Sequence, residues 1–209
     1  NPDSTMEVKD GKLYIHVPAG NNDLIPGTEL APTLTMKNPS SGDYSLTILY
    51  TGPTAFFAAA GILIYQNING QIQLLYGMSG GENVWLMGIV NWAIPAVKDK
   101  DGNIRGAGWG NHLFTGALGA HEKVYLKMVK SGDEYTSYYR LDDAEEWEQW
   151  LSAEFQLQDP EIGFIVKNWN GGAKLTAEFD FFQIETETFD VRVQNSLPER
   201  WGTIKSRPF

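Results

Sequence analysis

The sequence predicts an all-β chain: a two-sheet antiparallel jelly-roll β-sandwich with at most one short helix. Three observations predict it. Short segments alternate apolar and polar residues with the two-residue period of half-buried strands. Gly and Pro recur about every ten residues, and no helix of crossover length separates the strand segments, which excludes a doubly wound α/β fold. The composition, 12% aromatic with seven Trp and 22 Gly among 209 residues, favours short strands, tight turns and flat apolar faces.

Taken in order, Lys12 to Val17 places Leu13, Ile15 and Val17 on one face, after an Asp10-Gly11 turn signal. His16 falls on the polar face. Asp43 to Tyr50 repeats the alternation with Tyr44, Leu46, Ile48 and Tyr50. Ala60 to Tyr65 has no alternation and reads as a strand buried on both sides. It ends at Asn67-Ile-Asn-Gly70, and Asn69-Gly70 tolerates the positive φ of a tight hairpin, so Gln71 to Tyr76 pairs back. A second hairpin joins Val124–Val129 to Tyr135–Arg140 through Lys130-Ser-Gly-Asp133. Asp142 to Leu151 is the one helical piece, with acidic residues first and Trp147, Trp150 and Leu151 three and four apart. Strands resume at Glu161–Lys167 and Lys174–Glu185, separated by Asn168 to Gly172. Phe179, Phe182 and Ile184 cannot share a face under strict alternation, which predicts a β-bulge near Asp180 and Phe181.

The whole chain, 1–209, reads as one domain, with a core of about residues 6–193 and a C-terminal tail, 194–209. Asn1 in place of Met reads as a mature product or an excised piece. The longest apolar stretch, Ala55 to Tyr65, is about half the ~20 residues of a spanning helix, so no membrane is expected. With 16 Lys plus Arg against 26 Asp plus Glu, the net charge is −10. That argues against nucleic acid and anionic surfaces. The absence of cysteine removes disulfides, thiolate metal sites and cysteine nucleophiles.

Catalytic motifs are thin. Gly77 to Gly81 matches G-x-S-x-G, but a nucleophile elbow leads into a helix, and Glu82 to Val90 reads as a strand. Asp99 to Asn103 has oxygen ligands at alternate positions, yet Ile104 and Gly110 stand where a calcium loop requires Gly and Glu; a hairpin turn is the simpler reading. No cofactor is called for, although a structural rim calcium stays open. His16, His112 and His121 have no close metal-ligand spacing. Glu178 and Asp180 project to one side if no bulge intervenes and are the candidate paired carboxylates, which glycoside hydrolysis needs about 5 to 9 Å apart. The lyase pattern of Gln-x-His is absent, since Gln71-Ile-Gln73 lacks the histidine.

The aromatics point elsewhere. Covering one face of a sugar removes about 50 Å² of apolar surface from water, worth about 1 kcal/mol, and sub-millimolar affinity needs about 5 kcal/mol. Two or three exposed aromatics with several hydrogen bonds therefore suffice. Trp85, Trp92, Trp109 and Trp169 sit in or beside Gly-rich and Asn-rich segments, with Gln66, Asn91, Asn168 and Arg105 as polar orienters. Against this, most Trp in a sandwich of this size are core.

Ser40 to Ile48 followed by Ala60 to Gln66, then Val124 to Tyr139, Ile162-Gly-Phe164 and Ala177 to Phe182, resemble in order and spacing the concanavalin A-like lectin/glucanase sandwiches. The resemblance is to the C-terminal sandwich of bacterial family 43 β-xylosidases and kindred modules, over residues 30–185. It implies a jelly roll with a concave face that accepts saccharide, attachment to a glycoside hydrolase in the parent chain, and no catalytic residues in the sandwich. The chain departs from that pattern in Gly80 to Gly119 and in Asp142 to Leu151, which would lie at the rim or over the concave face.

The expectation is a non-catalytic carbohydrate-binding module of a secreted or cell-surface bacterial polysaccharide-degrading system, taking a neutral polysaccharide or oligosaccharide. The alternatives are a sandwich-fold hydrolase or lyase using Glu178 and Asp180, or a structural domain bracing a glycosidase.

Overall fold

The computed structural model describes residues 3–39, 42–78, 84–90, 97–105, 112–114, 121–143, 145–186 and 189–191, with the backbone alone for 84–90, 97, 104–105, 112–114 and 189–191. Among the described residues nineteen strands run in chain order: β1 Thr5–Lys9, β2 Lys12–Val17, β3 Gly20–Asn22, β4 Leu24–Ile25, β5 Thr28–Glu29, β6 Thr33–Lys37, β7 Tyr44–Tyr50, β8 Ala58–Asn67, β9 Gly70–Met78, β10 Val84–Val90, β11 Val97–Asp99, β12 Ile104–Arg105, β13 His112–Phe114, β14 Val124–Ser131, β15 Glu134–Arg140, β16 Glu148–Glu154, β17 Glu161–Gly172, β18 Leu175–Thr186 and β19 Phe189–Val191. A ten-stranded sheet runs β1-β2-β18-β7-β14-β15-β16-β11-β12 with β19 on β18. A seven-stranded sheet runs β13-β10-β9-β8-β17-β3 with β6 on β17, and β4-β5 form a small hairpin. Strands adjacent in the sheets lie far apart in sequence, as β18 between β2 and β7 illustrates, and the two large sheets enclose one core. This is the sandwich the alternation predicts.

The core is built from the apolar face of each strand. Leu13, Ile15 and Val17 of β2, Leu46, Ile48 and Tyr50 of β7, and Ile162, Phe164 and Val166 of β17 are all buried in it. Aromatic rings form its centre: Tyr50 lies 5.7 Å from Phe179 and 5.9 Å from Tyr76, and Phe164 lies 4.6 Å from Phe179. Such offset and edge contacts suit the ring quadrupole.

The seven-stranded sheet carries a second apolar cluster on its other face. There Leu24 and Ala31 pack with Ala59, Leu63, Leu75 and Ile165. Both faces of β8 and β9 are therefore covered, which is why Ala60 to Tyr65 lacks polar alternation.

Turn and bulge positions follow local chemistry. Asp10 and Gly11 both adopt positive φ, 52° and 79°, the pair of left-handed residues that a type I′ turn needs. The β8–β9 hairpin closes at the expected place but without positive φ at Asn69 or Gly70; instead the Asn69 amide donates to Asn67 Oδ1 at 2.9 Å. The β18 register against β7 shifts between Phe179 and Phe181, which is the expected bulge.

Two expectations are corrected. Asp142 to Leu151 is not the helix expected: residues 141–143 and 145 bend the chain, and β16 begins at Glu148. Glu145 Oε2 accepts from the Leu141 and Asp142 amides, closing the turn. Pairing with β15 then buries Trp150, Leu151, Ser152 and Ala153 in succession, a larger gain than one exposed helical turn provides. Asn168 to Gly172 is not a loop either, because β17 continues through it and pairs with β3.

Candidate functional site

The end of β17 gathers the polar and aromatic groups. Lys167 and Trp169 point to the same side of the strand, and the intervening Asn168 points to the opposite side. Asn168 is fully buried. Its Oδ1 accepts from the Asn22 amide and from Asn22 Nδ2, both at 2.9 Å, and its Nδ2 donates to the Pro18 and Ala173 carbonyls. Every hydrogen-bonding position of the amide is used, so Asn168 ties β17 to β3 and has none left for a ligand.

Lys167 is 1% exposed, and its Nζ donates to Asp23 Oδ1 at 2.7 Å. The same oxygen accepts from the Leu24 amide, while the Asp23 carbonyl accepts from the Leu30 and Ala31 amides. Asp23 thus holds the β4–β5 hairpin against the sheet. Burial pushes the Lys167 ammonium below its ordinary value, opposed by the Asp23 carboxylate. Gln71 Nε2 donates to the carbonyls of Leu24 and Ile68, and Gln73 Nε2 donates to Gln71 Oε1.

Trp169 sits above this layer, half-buried, with Lys167 Nζ 5.6 Å from its ring centroid. Phe57 meets the indole edge-on at 6.2 Å, and Phe56 meets Phe57 at 4.4 Å. Phe56 is 47% exposed. The backbone locks the three rings together, since the Trp169 amide donates to the Phe57 carbonyl and the Ala173 amide to the Phe56 carbonyl. Asn170 and Gly171 follow with positive φ, and the Gly171 amide donates to Asn21 Oδ1. The result is a short aromatic shelf, Phe56–Phe57–Trp169, bordered by Asn21 and Asn170.

The register connects this shelf to Trp85. Lys167 pairs Ala59, Ala59 pairs Gly77, and Gly77 pairs Trp85. Trp85 therefore lies in the same cross-sheet row as Lys167, three strand spacings or about 14 Å away. The floor between them is small for a steric reason. A Cβ on Gly77 would come within 2.2 Å of the Ala58 carbonyl oxygen.

The other expected contacts are not brought together. Gln66 is exposed, eight residues along β8 from the Ala58 end and so about 26 Å from it, and its Oε1 accepts from the Gln158 amide. Arg105 pairs Val97 at the outer edge of the other sheet. Trp92, Asn91 and Trp109 lie outside the described residues.

The outer face of the ten-stranded sheet carries the candidate carboxylates. Asp180 lies 3.0 Å and Glu178 3.8 Å from Lys12 Nζ, which also donates to Thr51 Oγ1. The bond to Asp180 holds the Lys12 ammonium above its ordinary value. The two carboxylates thus converge on a cation rather than on an open cleft. Further along that face Arg140 stacks 4.4 Å from Tyr125 and 4.7 Å from Trp147, Lys127 lies 5.5 Å from Trp147, and the Tyr125 hydroxyl donates to Asp143. This cluster, which sequence reasoning missed, anchors Asp143 and Trp147 against the sheet. Its signal was present in the alternation of Tyr125 and Lys127.

Asp99 Oδ1 accepts from the amides of Asp101 and Asn103, so this carboxylate closes the β11–β12 turn. Among the described residues no group of three or more His, Asp or Glu side chains could hold a metal ion.

The sequence matches no family model and no curated protein. Solved structures do match it. A functionally unknown protein from Saccharomyces cerevisiae aligns with a TM-score of 0.67 at 12% identity, covering 87% of this chain and 91% of its own. A family 43 glycoside hydrolase engineered to display both endo-xylanase and exo-arabinofuranosidase activity aligns with a TM-score of 0.63 at 10% identity, over 88% of this chain and 36% of that one. The xylan β-1,4-xylosidase of Bacillus halodurans aligns with a TM-score of 0.57 at 14% identity, over 87% and 38%.

The fold is a concanavalin A-like sandwich. At these identities the likeness is one of fold. The chain spans little more than a third of these two enzymes. In this sandwich the aromatic shelf lies at one end of the seven-stranded sheet, and the Lys12 carboxylate pair lies on the outer face of the opposite sheet.

Proposed function

We propose that this sandwich is a non-catalytic carbohydrate-binding domain that takes a neutral glycan at the Trp169 end of the seven-stranded sheet. The observation that carries the reading is the half-buried indole of Trp169, continued by Phe57 and the exposed Phe56 and bordered by Asn21 and Asn170. Flat apolar rings next to amides are what a pyranose needs: its C–H face covers the ring and its hydroxyls meet the amides. At about 1 kcal/mol per covered sugar face, two such contacts plus hydrogen bonds reach the sub-millimolar range. Trp85, in the same cross-sheet row, extends the site towards β10, with Trp92, Asn91 and Trp109 as further contacts in the segment that follows.

The net charge of −10 disfavours polyanionic partners and suits xylan or β-glucan. The xylan β-1,4-xylosidase and the family 43 glycoside hydrolase that share the fold support a place beside a catalytic domain in a secreted or cell-surface polysaccharide-degrading system. Affinity electrophoresis on soluble xylan and β-glucans tests the reading. Retardation is expected for the wild type and lost in Trp169→Ala. A folded protein retarded by no polysaccharide refutes it.

A further inference from the structure

The Lys167–Asp23 ion pair stands out because stability gives no reason for it. Lys167 is 1% and Asp23 6% exposed. Taking two such charges out of water costs as much as their attraction returns, and a well-packed apolar pair of similar volume is commonly as stable or more so. Position gives a reason instead. Asp23 is fixed by its own backbone, whose carbonyl accepts from Leu30 and Ala31 while its Oδ1 accepts from Leu24. That carboxylate fixes Lys167 Nζ at 2.7 Å, and the ammonium lies 5.6 Å from the Trp169 ring. Asn168, between Lys167 and Trp169, is immobilised by bonds to Asn22, Pro18 and Ala173. Two consecutive residues of β17, Lys167 and Asn168, are thus held by one segment, residues 18–31, and the next residue is the half-buried indole.

We infer that Lys167 and Asp23 are the positioning residues of the Trp169 platform, and this rests on the glycan-binding reading. The ammonium occupies one face of the indole and Phe57 occupies an edge, so a sugar is offered the remaining face at a set tilt. A cation is attracted to the ring face, whereas an apolar side chain of the same length fills the space without orienting the ring. The hairpin that carries Asp23 is thereby coupled to the orientation of the indole.

Three variants test this, with soluble xylan and β-glucan as probes in affinity electrophoresis and with near-ultraviolet circular dichroism and thermal unfolding on the same samples. Trp169→Ala defines the site. The double variant Lys167→Met/Asp23→Leu removes the charges and keeps the volume. Asp23→Asn removes one charge while keeping an acceptor for Leu24, and it serves if the double variant does not fold. The expected result is a double variant that still folds, its thermal midpoint lowered only by the Leu24 amide that loses its acceptor, with an altered indole dichroism and affinity about tenfold weaker. Wild-type affinity in the double variant, or in Asp23→Asn where the double variant does not fold, with Trp169→Ala unable to bind, overturns the positioning role alone. Wild-type affinity in Trp169→Ala overturns the site, and the positioning role with it.

Discussion

The buried tyrosines predict a steep loss of stability in alkali. Tyr44, Tyr50 and Tyr135 are 3%, 1% and 2% exposed. Burial pushes the Tyr135 hydroxyl up to about 12 and raises Tyr44 and Tyr50 as well. A group whose folded pKa exceeds its unfolded value of about 10 stabilises the fold fully below pH 10, and that contribution is lost as pH rises towards the folded value. Each of the three loses roughly 1 to 2 kcal/mol by pH 11, so together they lose about 4 kcal/mol. A domain has about 5 to 15 kcal/mol in total, so the midpoint in urea falls sharply between pH 10 and 11, and the fold is close to its limit by pH 12. Urea unfolding at pH 8, 10 and 11, with tyrosinate absorbance followed in parallel, measures it. Tyr135→Phe shifts the alkaline limb upward by its own share. The reasoning is refuted if all nine tyrosines ionise smoothly near pH 10 while the urea midpoint stays constant.

Other expectations follow from single contacts. Gly61→Ala drives a Cβ to 2.0 Å from the Leu74 carbonyl oxygen, so the strands must part and thermal unfolding falls by an amount matching more than about 3 kcal/mol. Asp23→Ala leaves the Lys167 charge buried without its partner and costs about 3 to 5 kcal/mol near neutral pH. Because the Lys167 pKa is depressed in the fold, that loss shrinks as pH rises towards 10.5, which denaturation at pH 7 and 9.5 resolves. Lys12→Met breaks a half-exposed bridge to Glu178 and Asp180 and changes stability by less than about 1 kcal/mol. Glu178→Gln leaves retardation on polysaccharide unchanged in affinity electrophoresis. Phe164→Ala, at the centre of the ring cluster, costs about 3 to 5 kcal/mol in calorimetry.

Local rules were readable in the chain wherever the cause is local. The alternation of Leu13, Ile15 and Val17, the left-handed Asp10-Gly11 pair and the bulge at Asp180 all follow from spacing within a few residues, and all are present. Asp142 to Leu151 misled because its three-and-four spacing satisfies a helix, whereas the free edge of β15 offers a ladder of hydrogen bonds that the spacing does not reveal. Asn168 misled in a similar way. An Asn beside a Trp has the composition of a sugar contact, yet Asn22 and Pro18, about 150 residues earlier, together with Ala173 consume the whole amide. Gln66 and Arg105 have the right chemistry but stand at a distant strand end and on the opposite sheet.

The class of fold and the approximate limits of β2, β7, β8, β9, β14, β15 and β18 were written in period and composition, whereas β16 and the far end of β17 were not. Strand order was not, because any apolar face can pair with any other until the whole core is assembled. Burial of Lys167 against Asp23, 144 residues apart in the chain, was equally invisible. A lysine in a strand reads as solvent-facing unless its counter-charge arrives from elsewhere. The two-residue period places side chains on a face, and only the packing of distant segments decides which face meets water, which meets the core, and which meets a charge.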